Sequence, residues 1–147
     1  MKIILDTNIW ISFLLGRRLA ILDEIVKMER VELFVSEALL TEIRDVAFRP
    51  KFFGKISLIS VMNLFELINV YCKVIDGYPD TESAVRDIKD LYLLSMAENI
   101  PADYIVTGDK DLLILKNHYM TQIVTFGEFV SLLYSRQDSS NVLNDQR

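Results

Sequence analysis

Five short runs rich in β-branched and large apolar residues punctuate this chain, and the longer segments between them carry apolar residues at helical spacing. That alternation constrains the fold more than any single motif does, because parallel strands need long crossover connections, which are usually helices. The strand-like runs lie near Ile3 to Leu5, Glu32 to Val35, Val70 to Ile75, Tyr104 to Thr107 and Gln122 to Thr125. Helical period extends over Ile9 to Leu15, Leu19 to Met28, Glu37 to Phe48, Ile56 to Ile68, Lys89 to Asn99, Asp111 to Leu115 and Phe126 to Tyr134. Right-handed crossovers turn this order into a three-layer α/β/α sandwich around a central, mostly parallel sheet of about five strands. At 147 residues the chain is one domain long. The domain spans residues 1–134, and residues 135–147 lose the apolar period and read as a flexible tail.

Composition limits the chemistry. The chain has 16 Lys and Arg against 21 Asp and Glu, a net charge of −5, so it does not grip nucleic acid through a broad basic surface. One His and one Cys exclude a zinc site of Cys and His ligands and a disulfide within the molecule. Cys72 falls in an apolar run and reads as a core residue, and His118 falls in a polar stretch and reads as a surface residue. Lys2 ahead of an apolar run imitates a signal peptide, but Asp6 and Asn8 interrupt the run and two arginines follow it. No apolar stretch approaches the ~18 residues of a membrane span, so a cytoplasmic protein without a membrane partner is expected. The stretch Ile56 to Ile68 is apolar on more than one stripe, which suits burial first and a homodimer or partner surface second.

Ligands of such sheets bind in the crevice at the carboxyl ends of the strands. Asp6 follows the run KIIL directly and opens DTN; its ordinary use would be to cap a helix, a task that Thr7 or Asn8 could take over. Glu42 lies about 60° from Leu39 and about 40° from Val46 around a helix, at the edge of the inward stripe, although pairing with Arg49 or Lys51 would also account for it. Asp90 shares a face with Leu93, Leu94 and Ala97, while Asp87 three residues earlier could form a capping arrangement with it. Asp109 and Asp111 follow a strand through the turn at Gly108, where helix capping is again the plain alternative. Capping explains each acid separately but gives no reason for them to converge. Converging carboxylates raise one another's pKa, and a divalent cation relieves the conflict. Oxygen donors without nitrogen or sulfur suit Mg²⁺ or Mn²⁺, which could also hold a phosphodiester and activate water. Hydrolysis of a nucleic-acid backbone follows.

The segments IILDTNIWISFLL, SEALLTEIRDVAFRPKF, RDIKDLYLLSMA and ADYIVTGDKDLL, in this order and spacing, resemble the PIN-domain family of metal-dependent ribonucleases, in particular the branch of toxin components of toxin–antitoxin systems. The resemblance covers residues 1 to about 134. It implies that Asp6, Glu42, Asp90 and Asp109 form the acidic quartet binding Mg²⁺ or Mn²⁺, that Asp111 is a further acidic position, and that Thr7, Asn8 and Asp87 support the ligands. Ile88 replaces the proline usual after that Arg-Asp pair, which changes helix entry and removes no ligand. The implied activity is metal-dependent cleavage of single-stranded RNA, with a small antitoxin as partner. Arg17, Arg18, Arg49, Lys51 and Lys55 are the candidate RNA contacts, each with a solvated surface charge as the alternative. An RNA-processing nuclease outside a toxin–antitoxin pair and a non-enzymatic PIN-like scaffold are the competing readings. A phosphotransfer enzyme using an aspartyl phosphate is less suited, since a dehalogenase-like site wants an acid where Asn8 stands.

Overall fold

The computed structural model describes residues 1–16, 18–75 and 88–144, with side chains described over 1–16, 18–75 and 91–135. Its elements are β1 (Lys2–Leu5), α1 (Thr7–Leu15), α2 (Leu19–Val26), β2 (Glu32–Ser36), α3 (Glu37–Ala47), a 3₁₀ turn (Pro50–Phe52), α4 (Leu58–Tyr71), β3 (Lys73–Ile75), α5 (Ile88–Asn99), β4 (Tyr104–Val106), α6 (Lys110–Leu113), β5 (Asn117–His118), β6 (Thr121–Val124) and α7 (Phe126–Asn144). Among the described residues, no helix is long and apolar enough to cross a membrane.

The strands form one six-stranded sheet in the order β3-β2-β1-β4-β6-β5, parallel except for the β5–β6 pair. Helices flank it, as the alternation of elements requires. The order reverses at β1: the chain crosses to β2 and β3 on one side and returns to β4 on the other. The carboxyl ends of β1 and β4, paired Leu5 to Val106, therefore meet at a topological switch point, where adjacent crossovers depart in opposite directions and leave a crevice. Ile3, Ile4 and Leu5 are all buried, as expected for a central parallel strand covered on both faces.

The core is set from α1. Trp10 is fully buried, and its Nε1 donates to the Leu5 carbonyl at 3.0 Å, tying the first helix to the end of the first strand. Phe13 meets Trp10 and Phe126 edge-on, at 6.5 and 5.5 Å between ring centroids. Buried Phe129 and Leu133 continue this packing along α7, and the Arg30 guanidinium donates to the Leu133 carbonyl at 2.6 Å.

The structure departs from the sequence expectation in several places. A sixth strand, β5, is only two residues long and pairs through a tight turn in which Tyr119 takes a left-handed φ of 52°. Such a strand is too short for periodicity, and a tyrosine gives no cue for that conformation. Val70 and Tyr71 are helical, so Cys72 is the residue that ends α4 rather than part of a strand, and β3 starts at Lys73. Ser57 sets the start of α4, its Oγ accepting from the Ser60 amide at 3.1 Å. Burial holds for one stripe of α4 only: Val61, Leu64 and Ile68 face the core, whereas Ile59 and Met62 are 70% and 62% exposed. The last helix does not stop at Tyr134 but runs to Asn144, with no Gly or Pro after Gly127 to end it.

Replacing Trp10 with Phe removes the donor to the Leu5 carbonyl while keeping an aromatic ring in place. The expected cost is about 1–3 kcal/mol, read as a lower urea midpoint at unchanged slope.

Candidate active site

Asp6 is the residue on which the site is built. Its backbone N–H still pairs with the Val106 carbonyl at 2.9 Å, while its own carbonyl accepts from the Ile9 amide at 2.9 Å, so one residue ends β1 and starts α1. Its side chain is the helix cap: Oδ1 accepts from the Thr7 amide at 2.7 Å. The expectation that Thr7 or Asn8 would cap the helix and leave Asp6 free is therefore corrected. Capping uses one oxygen, and the other, Oδ2, accepts from the Thr107 hydroxyl at 2.7 Å. Thr107 sits at the end of β4, fully buried, and its Oγ1 also accepts from the Asp109 amide at 3.0 Å. A single hydroxyl thus connects the acids that follow the two central strands.

Asp109 caps α6, accepting from the Asp111 amide at 2.9 Å through Oδ1. Glu42 arrives from α3, whose entry is set by the Ser36 hydroxyl accepting from the Leu39 amide at 3.2 Å. Leu39, Ile43 and Val46 pack inward, which leaves Glu42 half-buried at the rim. Its Oε2 accepts from the Thr7 hydroxyl at 2.8 Å and from the Tyr92 hydroxyl of α5. Thr7 therefore serves two acids, Asp6 through its amide and Glu42 through its hydroxyl.

These groups line a cavity of about 180 Å³ bounded by Asp6, Thr7, Asn8, Glu42 and Asp109, with Arg49 and Lys51 on its wall and Ile11, Val46, Phe52 and Leu93 as its apolar part. Asp6 lies 8% exposed, and burial pushes its carboxyl above the ordinary carboxylate range. The hydrogen bonds from Thr107 and Thr7 pull the other way, and the charges of Glu42 and Asp109 add to the rise. Burial also pushes the Tyr92 phenol up, and its bond to Glu42 adds to that, so the hydroxyl remains a donor.

Of the other expected residues, Asp111 lends its amide to Asp109 while its own carboxylate is exposed and outside the cavity lining. Arg18 and Lys55 are exposed and do not line the cavity. Asp90 lies on α5, in the first turn described, but its side chain is outside the described residues, as are Arg17 and Asp87 altogether. Sequence reasoning overlooked Thr107 and Tyr92. Thr107 had a signal, being a polar residue at the carboxyl end of a strand at the switch point; Tyr92, one of several large side chains in KDLYLL, had none.

Hard oxygen donors around one cavity suit a divalent cation in kind. Among the described residues, however, no three His, Cys, Asp or Glu side chains form a group that could hold a metal ion by themselves. Cys72 supplies no alternative nucleophile, because burial pushes its thiol up to about 12 and keeps it protonated at neutral pH. His118 lies away from the cavity lining, 2.6 Å from Glu98.

A comparison with curated proteins finds no match. A family model described as PIN domain matches residues 2–111 of the 147, a stretch that contains Asp6, Glu42, Asp90 and Asp109. With well over half of the chain matched and the acid-bearing strand ends at the switch point inside that match, this protein belongs to the PIN-domain family, whose members are generally nucleases that use divalent metals.

Proposed function

We infer that the chain is an endoribonuclease that depends on Mg²⁺ or Mn²⁺, hydrolyses phosphodiester bonds of single-stranded RNA, and acts as the toxin of a toxin–antitoxin pair. The observation that carries the catalytic part is the shared cavity at the switch point, where acids from β1, α3 and the β4–α6 turn face one another beside Arg49 and Lys51. Asp6, Glu42, Asp90 and Asp109 would hold the ion, with Asp111 contributing its amide to Asp109. When bound, the ion would supply the positive charge that the net balance lacks, along with an acidified water and stabilisation of the leaving oxygen.

The chain's own residues prepare the site. Thr7 and Thr107 fix both oxygens of Asp6, so the carboxylate loses little rotational freedom on use. Tyr92 and Thr7 hold Glu42 from one side. Arg49 and Lys51 offer charge for the phosphate backbone at the edge of an acidic cavity, which would otherwise repel it. A small antitoxin is the partner that this reading requires. The exposed stripe of α4 at Ile59 and Met62 is available for it or for a second copy.

Asp6→Asn keeps a good helix cap and removes a buried charge among like charges, so activity and stability should move in opposite directions. Mn²⁺-dependent cleavage of single-stranded RNA is expected to vanish, while the thermal midpoint rises by about 2–4 °C, the shift worth about 1 kcal/mol in a chain of this size. Retained cleavage in a preparation free of contaminating nuclease would remove Asp6 from the mechanism.

The sign of the pH effect follows from the raised pKa of Asp6. The folded chain holds this proton to a higher pH than the unfolded chain, so stability falls as pH rises from the ordinary Asp value through the folded one. Below the ordinary value both states are protonated and the difference is gone. Without metal, the wild-type midpoint should therefore drop across that window, whereas Asp6→Asn should show a smaller drop. Equal slopes would contradict the assignment.

Thr107→Val preserves shape and deletes the hydroxyl shared by Asp6 and Asp109. Loss of such supporting bonds typically costs 10–100-fold in metal affinity or activity, to be read by Mn²⁺ titration and by the rate at saturating metal. For the toxin role, expression in a host cell should arrest growth in the wild type and not in Asp6→Asn; normal growth with a demonstrably active enzyme would count against it.

A further inference from the structure

We propose that the segment Phe48–Lys55 is a base-stacking platform for single-stranded RNA beside the catalytic cavity, with Phe53 and Phe48 receiving unpaired bases and Arg49, Lys51 and Lys55 receiving the phosphates between them. The proposal rests on the nuclease reading above and names how the substrate strand is held.

The first observation is exposure. Phe53 is 73% exposed and Phe48 49% exposed, on either side of a three-residue turn that belongs to the cavity wall. Leaving a phenylalanine in water forgoes the favourable burial of its ring, and the core of this chain has taken up Phe13 and Phe129 almost completely. The second is rigidity. Pro50 opens the 3₁₀ turn, the Phe52 and Phe53 amides bond back to the Arg49 and Pro50 carbonyls at 2.9 and 3.1 Å, and the Lys55 amide returns to Phe52 at 2.9 Å. Gly54 supplies the left-handed φ of 77° that closes the loop. The exposed rings thus sit on an ordered loop, and little entropy is lost when a base lands on them.

The third observation is charge. In a chain of net charge −5, no acid occurs from Val46 to Phe65, whereas Arg49, Lys51 and Lys55 all fall in that interval. Lys51 lies 4.9 Å over the ring of Phe52, so a cation and an aromatic ring already share one side of the cavity wall. Aromatic faces interleaved with cations are what an unpaired strand requires, because each base offers a flat face and each linkage a negative charge. A duplex hides its base faces and would find only the cations. A protein partner would use the rings but would have no need of three cations interleaved with them. The occupant favoured here is therefore a single strand.

The test uses the full chain in EDTA at low salt, so that nothing is cut, with a fluorescently labelled single-stranded oligoribonucleotide and an abasic strand of equal length and charge. For Phe53→Ala, affinity for the base-bearing strand should fall roughly tenfold while affinity for the abasic strand stays the same, and Phe53→Trp should restore binding. Phe48→Ala should behave like a weaker Phe53→Ala, and Lys51→Ala should weaken both strands alike. Wild-type binding that Phe53→Ala leaves unchanged overturns the platform and spares the nuclease reading. Equal losses on the two strands also overturn it, as does a change in self-association without a change in RNA affinity. Failure of the wild type to bind either strand overturns both the platform and the single-strand reading.

Discussion

The carboxylate of Asp6 is where the fold and the site become one structure. Its backbone pairs with β4, its Oδ1 caps α1 and its Oδ2 is held by Thr107, so the residue joins the two central strands to the first helix. A charged group that is 8% exposed must be compensated, and among the described residues two neutral donors, the Thr7 amide and the Thr107 hydroxyl, hold its oxygens. Glu42 and Asp109 make matters worse by adding charge of the same sign. Burial and like charges thus disfavour ionisation of a carboxylate fixed at the switch point, a kind of perturbation that clusters at functional sites.

Hydroxyl groups provide the internal wiring. Thr107 accepts from the Asp109 amide while it donates to Asp6, and Thr7 donates to Glu42 while its amide caps with Asp6. Through these two threonines, acids at the end of β1, on α3 and in the turn after β4 are fixed relative to one another. Threonine suits this work because it has one donor and spare acceptor capacity on a stem that stays stiff at χ1. Tyr92 brings α5 into the same arrangement through Glu42.

The acidic cavity and the basic, aromatic segment at its wall are complementary parts of one surface. A phosphodiester would be repelled by the carboxylates alone, and the cations of Arg49 and Lys51 offset that at the edge where the strand would enter. On the proposed function, this division of labour is how a chain with a net charge of −5 would accept a polyanionic substrate. Locally the two signs are set side by side: Asp6, Glu42 and Asp109 line the cavity, and Arg49 and Lys51 lie on its wall.

Much of this was legible in the residues. Alternating strand and helix periods led to a mostly parallel sheet between helices, since each period commits an element to burying particular faces. Strand-terminal acids such as Asp6 and Asp109 could be singled out because a strand's carboxyl end is a fixed place in that architecture. Glu42 could be placed at a helix rim from its angle to Leu39 and Val46. What the residues could not convey was anything decided between distant elements. That Asp6 caps its helix and still lines the cavity with its second oxygen held depends on Thr107, 101 positions away. That Tyr92 reaches Glu42 depends on how α5 and α3 lie around the crevice. The two-residue strand β5 exists only because β6 gives it a partner. Local sequence determines which faces are apolar and where chains turn; long-range hydrogen bonds and the exposure of Phe53 are properties of the assembled packing, and only the tertiary structure sets them.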